Sequence, residues 1–195
     1  MPMQKYDKKD DVLRDAFYQY FSGGFNGLVI NEIREKRSMA YTAGAYVSTP
    51  SLPGNPTYLI GRIGTQNDKA NDAIDVFMEL ISDMPKNAER IENIKSYMRQ
   101  EALTSHPDFR YKAQYLRMYQ RMGYQGDPAE ENLKKIDALT FDDIVKFYEE
   151  NIKGKPYCIG IMGNPKDIDL KKLEKYGKVV KLNERKLFNT KDALF

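Results

Sequence analysis

Two side chains that donate hydrogen bonds at neutral pH stand seven residues apart at a predicted junction between a helix and a strand. They are Arg34 and Tyr41, in the segment F-S-G-G-F-N-G-L-V-I-N-E-I-R-E-K-R-S-M-A-Y that covers residues 21–41. A guanidinium is always charged, and a phenol with a pKa of about 10 stays protonated at pH 7. Such a pair can orient a substrate and stabilise charge, but it supplies neither a nucleophile nor a base.

The groups that would break a bond are scarce, because the chain has one histidine, His106, and one cysteine, Cys158. Metal-dependent hydrolysis commonly needs two histidines and a carboxylate around an open coordination position, with a further glutamate as general base. We interpret His106, in T-S-H-P-D, as a capping or surface residue, and Cys158 as a buried structural thiol rather than a nucleophile. No serine, cysteine or metal chemistry is self-contained in this sequence.

Composition limits the classes of partner. The 31 lysines and arginines against 28 aspartates and glutamates leave a net charge of +3, too small to indicate nucleic acid or an anionic membrane. Basic residues near the middle of the chain alternate with apolar ones, as on an amphipathic helix: Arg110, Lys112, Arg117 and Arg121. With no apolar run of spanning length and no signal-peptide pattern, we expect a soluble chain without membrane contact, and the compartment stays open between cytoplasm and periplasm.

Hydrophobic periodicity predicts the elements that must position Arg34 and Tyr41. A first helix, at about 9–21, ends at the Gly23-Gly24 pair, which we interpret as a tight turn and not as a phosphate-binding loop. A second helix, at about 25–38 with Asn26 as a possible N-cap, directs Arg34 away from its apolar stripe. Two antiparallel strands follow, at about 40–48 and 57–65, and the two-residue period places Tyr41 on the face of Ala43, Ala45 and Val47.

The remainder predicts an α+β sandwich in which helices cover one face of an antiparallel or mixed sheet. Helices are predicted at about 67–83, 87–105, 108–123, 127–151 and 168–176. The helix at 127–151 is broken near Leu139 by Thr140, which caps the segment T-F-D-D-I-V-K-F-Y. Further strands are predicted at about 156–162 and 178–182. The predicted organisation is a single domain over residues 1–185, followed by a charged tail over residues 186–195.

Residues 21–41 resemble the C-terminal-type domain of the pitrilysin/insulinase family of zinc peptidases, the inverzincins. In that family a Gly-Gly turn leads to a helix that ends in L-R-E-K-R-x-L-A-Y. Two later segments, G-T-Q-N-D-K-A-N-D-A-I and T-F-D-D-I-V-K-F-Y-x-x-N-I before I-G-I-M-G-N, are similar to common patterns of the family. The resemblance covers about residues 8–185, and it implies the α+β fold of the mitochondrial processing peptidase, also described as LuxS/MPP-like.

The resemblance also implies a divided active site. In the family, zinc is bound by H-x-x-E-H and a downstream glutamate in one domain, whereas another domain contributes an arginine and a tyrosine that contact peptide substrate. Arg34 and Tyr41 match that pair, and H-x-x-E-H is absent here. The resemblance thus implies that zinc and the base come from a peptidase domain in the same polypeptide or another subunit. Alone, the chain is expected to be inactive.

Departures from the family pattern leave alternatives open. Gly27 stands where serine is frequent, Met39 where leucine is usual, and the opening strand is expected to be short or absent. Loss of that strand would suit a fragment of a longer protein, with any targeting signal upstream, and would favour a homodimer of the isolated fragment. The alternative function is a catalytically inert, peptidase-like scaffold, which retention of both Arg34 and Tyr41 disfavours.

Overall fold

The computed structural model describes residues 1–50 and 52–183, and within them helices predominate over strands. The strands of this part are β1 (Pro2–Lys5), β2 (Ala40–Ser48) and β3 (Pro56–Thr65). The α-helices are α1 (Asp11–Phe21), α2 (Leu28–Ile30), α3 (Ala70–Ser82), α4 (Ile91–Thr104), α5 (Lys112–Arg121), α6 (Pro128–Ala138), α7 (Phe141–Asn151) and α8 (Leu170–Leu173). The predicted charged tail, residues 186–195, lies outside the described residues, and the single domain over 1–185 stays a prediction.

The strands form one antiparallel sheet in the order β1-β3-β2. Along β2, Ala45 is buried and Ala43 and Val47 pack against the core, so this set of alternate residues faces the helices. Thr42 and Tyr46 alternate with them and are exposed. One face of the sheet is therefore covered by helices and the other is open.

Helix α1 lies at the centre of the core, where Phe17, Tyr20 and Phe21 are each 0% exposed. Phe17 stacks on Phe21 at 5.1 Å between ring centroids and contacts Phe147 of α7 at 5.7 Å. Packed aromatic rings of this kind contribute more to a core than their buried area alone. Because α1 contacts β2 as well as α4 and α7, the predicted α+β sandwich with helices on one face is confirmed.

Two predicted strands are wrong, whereas the opening strand is short, in agreement with the expectation of a short or absent strand. Residues 156–162 and 178–182 have no strand structure, whereas the four-residue β1 precedes α1 and pairs with β3. Strand formation depends on a hydrogen-bonding partner that local sequence does not specify. Residues 157–162 face β3 across a cleft and form no ladder with it, so their strand-like sequence has no partner.

The turn after α1 depends on glycine at two buried positions. A Cβ at Gly23 would lie 2.6 Å from the Gln19 Cα, and one at Gly27 would lie 2.5 Å from the Ser22 carbonyl carbon. Both clashes are with backbone, which cannot move aside as a flexible side chain can. Helix α2 begins after Gly27, which is its N-cap, so the prediction of Asn26 as N-cap is wrong.

Replacing Gly27 with alanine is expected to lower the free energy of unfolding by about 1–3 kcal/mol, since overpacking against backbone forces the turn to shift. Urea unfolding followed by circular dichroism measures the change. Gly126→Ala is the control, because a Cβ there meets no atom within 4 Å. Equal stability of the two variants would contradict the proposed close approach.

Candidate functional site

Arg34 lies in a π-helical turn, Asn31–Glu35, that continues directly from α2. The Lys36 amide donates to the Asn31 carbonyl at 2.9 Å, a hydrogen bond that spans five residues instead of the usual four. Such turns insert one extra residue into a helix and occur frequently at functional sites. The insertion fixes the direction of Arg34, whose side chain is 39% exposed.

The junction between this helix and β2 is a tight reversal at Ser38. Ser38 has a φ of 50°, in the left-handed region that usually favours glycine. Its amide donates to the Arg34 carbonyl at 2.8 Å, and the Met39 amide donates to the Ile33 carbonyl at 2.9 Å. These bonds satisfy the last helical carbonyls in the manner of a Schellman motif. They also turn the chain so that Tyr41 follows close to Arg34.

Tyr41 is directed by a β-bulge, and its predicted facing is wrong. Ala40 pairs with Thr65, and Thr42 pairs with the adjacent residue of β3, Gly64. Tyr41 therefore has no partner of its own in β3 and forms the bulge. A bulge interrupts the two-residue alternation and redirects the side chain at that point. Tyr41 consequently does not share the helix-covered face of Ala45, and it is 84% exposed.

The structure brings the two predicted site residues together. The Arg34 Cζ lies 5.8 Å from the centroid of the Tyr41 ring, within the range of a cation–π contact. Arg34 also forms an ion pair with the half-exposed Glu35, at 3.5 Å between Nε and Oε1. No hydrogen bond joins the Tyr41 hydroxyl to another residue of the described part of the chain. A phenol O–H and a guanidinium therefore share one solvent-facing patch.

Arg37, one helical turn beyond Arg34, has a structural role in this geometry. Its Nη1 donates to the Glu32 carbonyl oxygen at 2.8 Å and also to the Glu32 carboxylate. Lys36 donates to the same carboxylate at 2.6 Å. Hydrogen bonds from Lys36 and then Arg37 lower the pKa of Glu32. These contacts stabilise the π-helical turn. Arg34 takes no part in them and pairs with Glu35 instead.

The open face of the sheet adds further polar and aromatic groups that sequence reasoning missed. Arg62 of β3 lies 5.6 Å from the centroid of the Tyr46 ring and donates to the Tyr46 hydroxyl at 3.4 Å. Tyr58 is also exposed on this sheet. The two-residue period of a strand could have identified Tyr46, because it alternates with Ala43, Ala45 and Val47 along β2. The open face thus carries a second arginine–tyrosine pair on β2 and β3, in addition to the pair of Arg34 and Tyr41.

The chain's other reactive side chains lie apart from this patch. His106 follows α4 and is exposed, which confirms its assignment to the surface. Cys158 is exposed, so its prediction as a buried thiol is wrong, because residues 157–162 lack the flanking strands that would cover them. Across residues 1–50 and 52–183, no three His, Cys, Asp or Glu side chains are placed to hold a metal ion. None of the described helices is long and apolar enough to cross a bilayer.

No protein-family model matches the sequence, and no curated protein matches it significantly. Among solved structures, the chain is similar to a peptidase M16 inactive domain from Pseudomonas fluorescens, with a TM-score of 0.57 and 19% sequence identity. That similarity covers 78% of this chain and 36% of the other. A conserved protein from Enterococcus faecalis V583 is similar with a TM-score of 0.50 and 17% identity, over 77% of this chain and 36% of the other.

The chain thus spans about a third of the length of the two similar structures. At such low identity, similarity of structure establishes the fold and not the activity. The fold agrees with the resemblance noted in residues 21–41. This chain therefore has the α+β fold of a peptidase M16 inactive domain.

Proposed function

We propose that this chain is the substrate-contacting domain, without zinc ligands, of a zinc-dependent endopeptidase that degrades peptides or unfolded segments. The observation that carries the proposal is the convergence of Arg34 and Tyr41 on one exposed patch, with 5.8 Å between guanidinium carbon and ring centroid. A π-helical turn directs one of them and a β-bulge directs the other. Irregular backbone that redirects side chains is typical of functional sites.

In this proposal the two side chains stabilise charge that develops during peptide-bond hydrolysis. The Tyr41 hydroxyl donates to the scissile carbonyl oxygen as it becomes an oxyanion, and Arg34 holds a neighbouring substrate carbonyl or the developing charge. The partner domain would hold the zinc and the general base, which would supply the activated water. Tyr41 is suited to this part because its hydroxyl is free of other described partners and its ring is held beside Arg34.

Reconstitution tests the proposal. The partner is a polypeptide that carries H-x-x-E-H, encoded in the same frame or in a neighbouring gene. We expect no cleavage of an internally quenched peptide by this chain alone or by the partner alone, and cleavage when they are combined. A zinc chelator should abolish that activity.

The same assay distinguishes the alternative, a catalytically inert scaffold. A scaffold would bind the partner, measured by size-exclusion chromatography, without changing its turnover. Equal turnover of the partner with and without this chain would therefore refute a substrate-contacting role. An Arg34→Ala variant that binds the partner normally but fails to restore turnover would support the substrate-contacting role.

A further inference from the structure

Helix α5 carries a row of tyrosines and methionines that the described chain covers only in part. The residues of this tyrosine row recur at intervals of three and four, so they share one side of the helix and its C-terminal end: Tyr115, Met118, Tyr119 and Met122. The rings of Tyr115 and Tyr119 contact each other, with 6.0 Å between their centroids. No residue of α5 is buried, although an apolar row of this kind normally faces a core.

The ends of α5 attach it to the rest of the molecule. Before the helix, the Asp108 carboxylate accepts from the Arg110 amide at 2.9 Å and caps the turn that leads into α5. After it, the chain reverses at Gly123, which has a φ of 92°, and the buried Tyr124 donates to the Asp11 carboxylate of α1. Between these points the ten residues of α5 contact chiefly the turn that precedes them. A helix of this length is marginal in water unless its face packs on another surface.

A second row on α5 is positively charged and adjoins the tyrosine row. This arginine row consists of Gln114, Arg117 and Arg121, again at intervals of three and four residues. No carboxylate of the described residues forms an ion pair with either arginine. The aspartates that flank the helix in sequence are already helix caps, because Asp108 accepts from the Arg110 amide and Asp127 accepts from the Ala129 amide. The arginine row is therefore left without a counterion from the described chain.

The composition of residues 109–122 is typical of a protein interface. Nine of these 14 residues are phenylalanine, tyrosine, methionine or arginine, and none is acidic. Aromatic residues, methionine and arginine are enriched at the centre of protein–protein interfaces, where lysine, glutamate, aspartate, serine and alanine are depleted. Tyrosine and arginine are also among the residues that contribute most to binding energy in such interfaces.

We propose that α5 is a docking helix for an acidic partner polypeptide, which binds across the tyrosine row and the arginine row. Carboxylates of the partner pair with Arg117 and Arg121, since a guanidinium can bind a carboxylate through two parallel hydrogen bonds. Apolar side chains of the partner pack on Tyr115 and Tyr119 and remove them from water. This inference goes beyond the proposed function, because it requires neither Arg34 nor Tyr41.

Charge and chemistry favour an acidic polypeptide over other occupants. The α5 helix of a second copy would set arginine against arginine, and like charges across an interface oppose binding. Helices that lie on a membrane surface set large apolar residues opposite their charged face, whereas the tyrosine row carries polar hydroxyls. Nucleic-acid binding is typical of strongly basic domains, and the net charge of this chain is only +3.

A tryptophan reporter on α5 tests the proposal. The chain has no tryptophan, so Tyr115→Trp places a single fluorophore on the tyrosine row. The probes are two 14-residue peptides with leucine at the same positions of a helical repeat, one with glutamate and the other with lysine at all remaining positions. We expect the glutamate peptide to bind at least about tenfold more tightly at low ionic strength. Anisotropy of fluorescein-labelled peptides gives the same comparison with the unsubstituted chain.

Charge reversal provides the matched pair of variants. Arg117→Glu combined with Arg121→Glu should make the protein prefer the lysine peptide, because the partner's charges then meet the opposite sign. Lys171→Glu combined with Lys172→Glu changes the net charge equally on the exposed surface of α8 and should keep the preference for glutamate. Circular dichroism checks that both variants fold.

Equal binding of the two peptides, or a preference that survives reversal of Arg117 and Arg121, would overturn the proposal. Phosphatidylserine-containing vesicles and a single-stranded oligothymidine are measured with the same reporter. Tighter binding of the vesicles or of the oligonucleotide than of the glutamate peptide would assign α5 to a membrane or to nucleic acid and overturn the acidic polypeptide. A dimeric size that reverts to monomer on reversal of the two arginines would assign α5 to a second copy, with the same consequence.

Discussion

Replacing Tyr41 with phenylalanine should lower kcat of the proposed assembly of this chain with a zinc-binding partner by about 10²–10³-fold, the usual loss for one oxyanion donor. The substitution removes only the hydroxyl and keeps the ring that Arg34 contacts at 5.8 Å. KM should change little, because the hydrogen bond strengthens as charge develops on the carbonyl oxygen. Steady-state cleavage of an internally quenched peptide measures both constants.

The matched control is Tyr46→Phe, which removes the hydroxyl of another exposed tyrosine on the same strand. Its hydroxyl accepts from Arg62 at 3.4 Å, so its loss removes a surface contact and no donor near Arg34. Because Tyr41 is 84% exposed, neither variant should change Tm by more than about 1 °C. Unchanged kcat for Tyr41→Phe, or equal losses in both variants, would contradict the oxyanion role.

Helices were predictable because their signals are local. The periodic apolar residues of α1 indicate its length and its buried face, and Gly23 marks its end. Thr140 was expected to cap the helix that follows it, and the structure shows a capping box between Thr140 and Asp143. In each case residues within about four positions of one another determine the geometry.

Sheet structure was predictable only where both partners were neighbours in the sequence. The β2–β3 hairpin was expected at nearly its observed bounds, whereas residues 156–162 lack a strand partner in the described chain. The bulge at Tyr41 depends on the register with Thr65 and Gly64, which a single strand's sequence does not specify. The spacing of Arg34 and Tyr41 thus indicated the pair, but only the bulge and the π-helical turn explain how the two meet.

A buried arginine and its aspartate partner near the start of α1 connect this helix with the residues just before it and with Tyr124, far along the chain. The Asp11 carboxylate of α1 accepts from the hydroxyl of Tyr6 at 2.8 Å, from the hydroxyl of Tyr124, and from the guanidinium of Arg14. Arg14 is 3% exposed, and its Cζ lies 4.6 Å from the centroid of the Tyr6 ring. Burial raises the pKa of Tyr124 to about 12, so this phenol remains a donor at neutral pH.

Replacing Asp11 with alanine should therefore lower the free energy of unfolding by about 3–5 kcal/mol, because it leaves the Arg14 charge buried without its carboxylate. Two hydroxyl donors lose their acceptor in the same step. Urea unfolding at pH 7 measures the loss, with Asp10→Ala as the control for removing a carboxylate at the start of α1. Among the described residues, the side chain of Asp10 accepts a single, exposed hydrogen bond, from Gln4, so its replacement should cost less than about 1 kcal/mol. If the two variants were equally stable, the cluster would not hold these segments together.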